Sequence, residues 1–135
     1  MFGTKASKPQ SRIDTLIGAG TTIEGNLNFS GGMRIDGQVI GNVTSAKDKP
    51  STLVLSEHAR VKGEVSVTHL VVNGTIIGPV SVSEYLELQS KAKISGDMRY
   101  ETLEIHLGAI VDGKLMHNKT AATEKVVAFK LNSGE

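Results

Sequence analysis

A repeating unit of about 17 residues constrains this chain more than any other feature of its sequence. Segments 52–67, 85–100 and 102–117 align with one another without a gap. The positions that coincide are Leu53/Leu86/Leu103, Leu55/Leu88/Ile105, Ala59/Ala92/Ala109, Val61/Ile94/Val111, Gly63/Gly96/Gly113 and Val65/Met98/Leu115. A fixed period of this length is typical of a solenoid, in which each unit buries its apolar side against the next.

Within each unit the apolar residues alternate with polar ones, as they do from Val61 to Val67. Period two predicts β-strands with one side facing inward, and no sustained 3.6-residue period predicts a helix between residues 14 and 117. A unit of short strands without crossover helices cannot form an ordinary parallel sheet, but three short strands can coil into one winding. The sequence therefore predicts an all-β parallel solenoid of about six windings, roughly 30 Å long at about 4.8 Å per winding. An antiparallel β-sandwich is the alternative.

Charge divides the chain into three parts. Residues 1–13 form a basic tail of net charge +3, the repeat region 14–117 carries −3, and the tail 118–135 carries +1. A polar run at 46–51, AKDKPS, predicts a loop between two repeats. Because the body is mildly acidic, we expect no nucleic-acid partner. With no Cys and few aromatic residues, the core must be built from Val, Ile, Leu and Gly.

The ordered series of repeats resembles the bactofilins, a family of bacterial cytoskeletal proteins. The resembling stretches are TLIGAGTTIEGNLNFSGGMRIDGQVIGNV at 15–43, ARVKGEVSVTHLVVNGTIIGPVSV at 59–82, YLELQSKAKISGDM at 85–98 and LEIHLGAIVDGKLM at 103–116. The resemblance implies a right-handed, three-sided β-helix that polymerises end to end without a nucleotide. It also implies a scaffold for cell shape or for cell-wall synthesis and remodelling proteins, located in the cytoplasm at the inner face of the cell membrane.

Physical reasoning about the ends also favours polymerisation. Each end of a solenoid exposes strand edges and the apolar core behind them, and monomeric solenoids cover both with caps. The flanks here show no helical cap, although the apolar patch at 126–129 is either a loose cap or part of a flexible tail. We therefore expect a second copy of the chain to cover the ends. The predicted polymer contacts are Leu16, Ile17 and Ile23 at one end and Leu103, Ile105, Ile110, Val111, Leu115 and Met116 at the other.

The first residues resemble the short apolar and basic leader with which bactofilins attach to membranes. The predicted membrane contacts are Met1, Phe2, Lys5, Lys8 and Arg12. Burial of Phe2 contributes about 2–3 kcal/mol, and each basic residue near anionic lipid adds roughly 1 kcal/mol. That total holds a monomer weakly, but a filament with many copies binds through avidity. A solvated, flexible tail is the alternative interpretation.

The rival functional hypothesis is an enzyme, because hexapeptide β-helices host acyltransferases and carbonic anhydrases. Such enzymes need a histidine as base or zinc ligand. The four histidines are His58, His69, His106 and His117. None is paired with another at a recognisable ligand spacing, so we interpret them as surface or edge residues. Acidic residues beside the glycines are interpreted as a solvated face opposite Lys and Arg of neighbouring windings. We expect no catalytic residue, cofactor or metal.

Overall fold

The computed structural model describes residues 12–118, in which sixteen β-strands and no helix are present. The strands are β1 Thr15–Ile17, β2 Thr22–Glu24, β3 Leu27–Phe29, β4 Gly31–Ile35, β5 Gln38–Ile40, β6 Val43–Ser45, β7 Ser51–Leu55, β8 Arg60–Lys62, β9 Val65–Val72, β10 Thr75–Ile77, β11 Val80–Leu88, β12 Lys93–Ser95, β13 Met98–Tyr100, β14 Thr102–Ile105, β15 Ile110–Asp112 and β16 Leu115–His117. Every pairing between these strands is parallel.

The strands coil into a three-sided solenoid of six windings. Face one contains β1, β4, β7, the second halves of β9 and β11, and β14. Face two contains β2, β5, β8, β10, β12 and β15. Face three contains β3, β6, the first halves of β9 and β11, β13 and β16. The predicted parallel solenoid of about six windings is confirmed, and the antiparallel sandwich is wrong.

The strand register confirms the repeat frame. On face one, Leu53, Leu70, Leu86 and Leu103 are consecutive partners, and the step from Leu86 to Leu103 is 17 residues. The predicted loop is confirmed with one correction. It spans 46–50, because Ser51 is the first residue of β7 and is buried rather than part of the exposed turn.

Inward-facing side chains of the three faces form the core. They stack in columns along the solenoid axis, one residue per winding, and in the four inner windings nearly all are below 3% exposure. The core contains Val, Ile, Leu, Met and Ala, whereas Phe29 and Tyr100 are only half-buried beside it. A core without aromatic residues was predicted from composition. It follows from the geometry, since each thin layer has room for side chains of similar, modest size.

A ladder of glycines forms the corner between faces two and three. Its members are Gly25, Gly41, Gly63, Gly78, Gly96 and Gly113, all with positive φ. At Gly63, φ is 152°, and an added Cβ would collide with the carbonyl oxygen of Gly41 in the winding before. Only glycine allows the backbones of successive windings to approach this closely in that conformation. The repeated glycine of the sequence is therefore a requirement of stacking.

Candidate functional site: the two open ends of the solenoid

The N-terminal end presents three strands that pair on one side only within the described residues. These strands, β1, β2 and β3, bond to β4, β5 and β6 respectively. Their outer N–H and C=O groups therefore form an open edge. Ile17 lies against the core at 8% exposure, while Ile23, Leu27 and Phe29 are half-buried. The first winding thus covers the core incompletely and leaves apolar surface on its outer side.

The C-terminal end is open in the same way. Within residues 12–118, β14, β15 and β16 pair only with β11, β12 and β13. Ile105 is 45% exposed and Leu115 is 43% exposed, whereas their partners one winding earlier, Leu88 and Met98, are completely buried. Covering each of these end residues would stabilise an assembly by roughly 1 kcal/mol, since full burial of such a side chain contributes about 1.5–3 kcal/mol.

The structure separates the nine predicted polymer contacts into two groups. Six occupy inward columns that stop at an end: Ile17, Ile23, Leu103, Ile105, Val111 and Leu115. The other three have outward parity. Leu16 and Ile110 are 60% and 56% exposed on the lateral surface, and Met116 is half-buried there. All nine stay predictions as contacts between copies.

Two inward residues of the first winding were not among the predicted contacts. Leu27 and Phe29 pair with Val43 and Ser45, so both lie in the layer that an added winding would cover. Leu27 follows Gly25 by two residues, as Val65 follows Gly63 in the repeat, and this signal could have identified it. Leu107 is a further exposed apolar residue that was not among the predicted contacts. It lies at the corner between β14 and β15, and 95% of its surface is exposed.

Asp14 fixes the chain at the start of the first winding. Its backbone N–H donates to Gly32 O at 2.8 Å, and its Oδ2 accepts from the Gly32 N–H at 3.0 Å. Arg12 Nε donates to the other carboxylate oxygen at 2.8 Å. The backbone hydrogen bond from Gly32, followed by the bond from Arg12, lowers the pKa of Asp14. Asp14 therefore joins the start of the first winding to the second winding.

The predicted membrane contacts lie mostly outside the described residues. This applies to Met1, Phe2, Lys5 and Lys8, as it does to the C-terminal segment 119–135. Arg12 is described, and its side chain is 81% exposed while it pairs with Asp14. Within the described part of the chain, no helix is long and apolar enough to cross a membrane.

One histidine differs from its sequence interpretation. His69, expected at the surface near a bend, is only 3% exposed. Its Nδ1 lies 3.1 Å from Ser51 O, and its Nε2 lies 3.3 Å from Glu84 Oε1. His69 is the register partner of Thr52 on the neighbouring strand β7, and its ring lies against the chain at Ser51. His58 is exposed, as expected.

We expected the acidic residues beside the corners to lie opposite Lys and Arg of neighbouring windings. Two of them make other contacts. Asp36 pairs at 2.8 Å with Arg34, two residues away on the same winding, and this contact lowers the pKa of Asp36. Asp97 Oδ1 instead accepts the backbone N–H of Lys114 in the next winding at 2.9 Å. These carboxylates hold backbone and neighbouring side chains in place.

A polar cluster on the outer side of face one was missed by the sequence analysis. Glu87 and Glu104 are register partners in the fifth and sixth windings. His106 Nε2 lies 3.2 Å from a carboxylate oxygen of each. The Tyr85 hydroxyl approaches the other oxygen of Glu87 at 3.0 Å and of Glu104 at 2.8 Å. The 17-residue spacing of the two glutamates equals the repeat length and could have identified them as neighbours.

The fold and its ends define a class of protein: a parallel β-solenoid whose two open ends can each accept a further winding. Comparison with known proteins agrees with this class. A family model described as bactofilin, polymer-forming cytoskeletal, matches residues 15–116. The chain therefore belongs to the bactofilin family.

Two relatives give the degree of similarity. Bactofilin BacP of Myxococcus xanthus (strain DK1622) is 28% identical over 116 residues, which are 85% of this chain and 47% of that protein. The chain thus spans about half the length of this curated relative. A bactofilin of Thermus thermophilus, solved by cryo-EM in double helical filaments, matches with a TM-score of 0.70 and 26% identity over 77% of this chain and 99% of that one.

Proposed function

We propose that this chain is the subunit of a cytoskeletal filament in which copies stack end to end, without a nucleotide and without catalysis. The observation that carries this proposal is that inward columns stop unfinished at both ends, at residues such as Ile23 and Val111. A second copy placed about 4.8 Å beyond the last winding would continue the sheets and cover those residues. The polymer-forming description of the family and the filaments of the Thermus relative support it.

Nucleotide independence is supported by the role of the glycines. In nucleotide-binding folds, glycine-rich loops place backbone N–H groups at a helix N-terminus to bind phosphate. Here the corner glycines are in contact with one another across windings, as Gly78 is with Gly63. Their backbone atoms pack against the neighbouring windings, and the described residues contain no helix.

We further propose that residues 1–12 bring the filament to an anionic membrane, so that it lies in the cytoplasm at the inner face and positions cell-wall proteins. The support is the basic charge of this segment together with Phe2. Each copy contributes a weak contact, and a polymer multiplies it.

Negative-stain electron microscopy of the purified chain tests the filament proposal. We expect filaments in buffer free of nucleotide, unchanged in length and number when ATP or GTP with magnesium is added. Isolated rods of roughly 30 Å, the length of six windings at about 4.8 Å each, would contradict end-to-end stacking. Filaments that appear only with nucleotide would contradict nucleotide independence alone.

A further inference from the structure

We propose that Glu87, Glu104 and His106 form a binding site for a divalent transition metal, best suited to Zn²⁺, that links the last winding to the one before it. One ligand atom from each residue lies within 4.8 Å of the other two. Glu87 belongs to β11 in the fifth winding, and Glu104 belongs to β14 in the sixth. The site faces outward from the last winding, whereas Leu103 and Ile105 on the same strand as Glu104 face inward.

The charges of the cluster favour a cation. Like charges directly opposite each other on neighbouring strands are destabilising. Within residues 12–118, the only basic side chain within 4 Å of the Glu87 and Glu104 carboxylates is that of His106, and no Lys or Arg joins it. A neutral imidazole donates one N–H at Nε2 and so satisfies one carboxylate at a time. A bound divalent cation would neutralise both carboxylates at once.

The ligand types and their spacing fit zinc. Zn²⁺ takes imidazole nitrogen and carboxylate oxygen at 2.0–2.2 Å, whereas Mg²⁺ and Ca²⁺ prefer oxygen alone. In a tetrahedral centre with bonds of that length, neighbouring ligand atoms are about 3.3 Å apart. His106 Nε2 already lies 3.2 Å from one oxygen of Glu87 and 3.2 Å from one oxygen of Glu104. Three protein ligands leave one position for water.

Tyr85 is a positioning residue for this site. Its hydroxyl lies 2.8 Å from Oε1 of Glu104 and 3.0 Å from Oε1 of Glu87, while the Oε2 atoms face His106. A phenol is protonated at neutral pH, so the hydroxyl acts as a donor to these carboxylate oxygens. Such outer contacts orient metal ligands and contribute about 10–100-fold to affinity. Gln89 Nε2, 3.2 Å from Glu87 Oε2, is the group that a metal would displace.

The test is thermal unfolding of the EDTA-treated full chain with and without Zn²⁺, together with equilibrium dialysis. We expect one bound Zn²⁺ per chain and a Tm increase of at least about 3 °C at saturating metal. The variants Glu104→Gln and His106→Asn should each weaken Zn²⁺ binding at least about tenfold, and Tyr85→Phe should weaken it about tenfold. The variant His58→Asn, which removes an exposed histidine elsewhere, is the matched control and should bind as the parent does.

Zn²⁺ binding that His106→Asn leaves unchanged would overturn the proposal, as would a Tm unaffected by the metal. An equal response to Mg²⁺ would also overturn it, because that indicates a non-specific effect of divalent cations. Should His106→Asn not fold, Tyr85→Phe serves instead, since it retains all three ligands and must lower affinity without abolishing binding. Equilibrium dialysis counts bound Zn²⁺ whether or not the chain forms filaments, so the site and the filament proposal fail independently.

Discussion

Ile23 and Val111 are the first and last residues of one inward column on face two, and both are half-buried. The four residues between them, Val39, Val61, Ile76 and Ile94, are at most 2% exposed. The side chains of this column are therefore fully covered in the middle of the solenoid and only partly covered at its two ends. A second copy of the chain stacked on either end can cover these side chains, as neighbouring windings cover the inner ones.

The ladder of corner glycines predicts that alanine lowers the Tm far more at Gly63 than at Gly20. We expect Gly63→Ala to abolish folding or lower Tm by more than 10 °C, roughly, because the methyl group meets the Gly41 carbonyl oxygen at a φ that alanine rarely adopts. Gly20→Ala is the matched control. No atom lies within 4 Å of its added Cβ, so its Tm should change by no more than about 2 °C. Equal Tm values for the two variants, measured by circular dichroism, would contradict the stacking role of the ladder.

Asp14 predicts a dependence of stability on pH. Its pKa is lowered in the folded state by the Gly32 N–H and by Arg12, so its contribution is complete above the unfolded pKa of about 3.9 and is lost as the pH falls through the folded value. The parent should therefore have a higher Tm than Asp14→Asn at pH 7, and the difference should shrink as the pH falls below about 3.9. Asp48→Asn, in the exposed loop, is the control. A difference that is constant with pH would contradict this role of the carboxylate.

The N-terminal segment predicts a change in lipid binding. Phe2→Glu should reduce co-sedimentation with anionic liposomes by at least about tenfold, because it replaces an apolar side chain of about 2–3 kcal/mol with a charge that anionic lipid repels. Ser7→Glu adds the same charge to the same segment and removes no apolar group. It should reduce binding less. Unchanged co-sedimentation of Phe2→Glu would reject the membrane anchor.

The sequence predicted the inward columns well because each repeat contributes one residue to each column. Val61, Ile94 and Val111 were aligned from residue spacing and are aligned in space. The hydrophobicity of a residue did not reveal whether its side chain faces the core. Leu16 and Ile110 were therefore grouped with inward neighbours although they face outward.

Contacts that depend on the path of the chain could not be predicted. His69 is buried where its ring contacts Ser51 in the winding before it and Glu84 in the winding after it, and residue spacing alone does not give these contacts. The repeat pairs Glu87 with Glu104, but the cluster also depends on the orientation of His106 after β14, which the repeat does not give. A single sequence gives spacing between windings, but it does not give side-chain orientation at a corner.

Sedimentation of Val111→Arg tests the central claim most directly. An arginine at the end of this inward column would carry an unpaired charge into any end-to-end contact, and each 1.4 kcal/mol of that cost reduces association tenfold. The control is Ile40→Arg, which adds the same charge at an outward position between Glu24 and Lys62 in the second winding. We predict that Val111→Arg remains in the supernatant as short, folded species while Ile40→Arg pellets as the parent does. Long filaments of Val111→Arg, as abundant as those of the parent, would contradict end-to-end assembly.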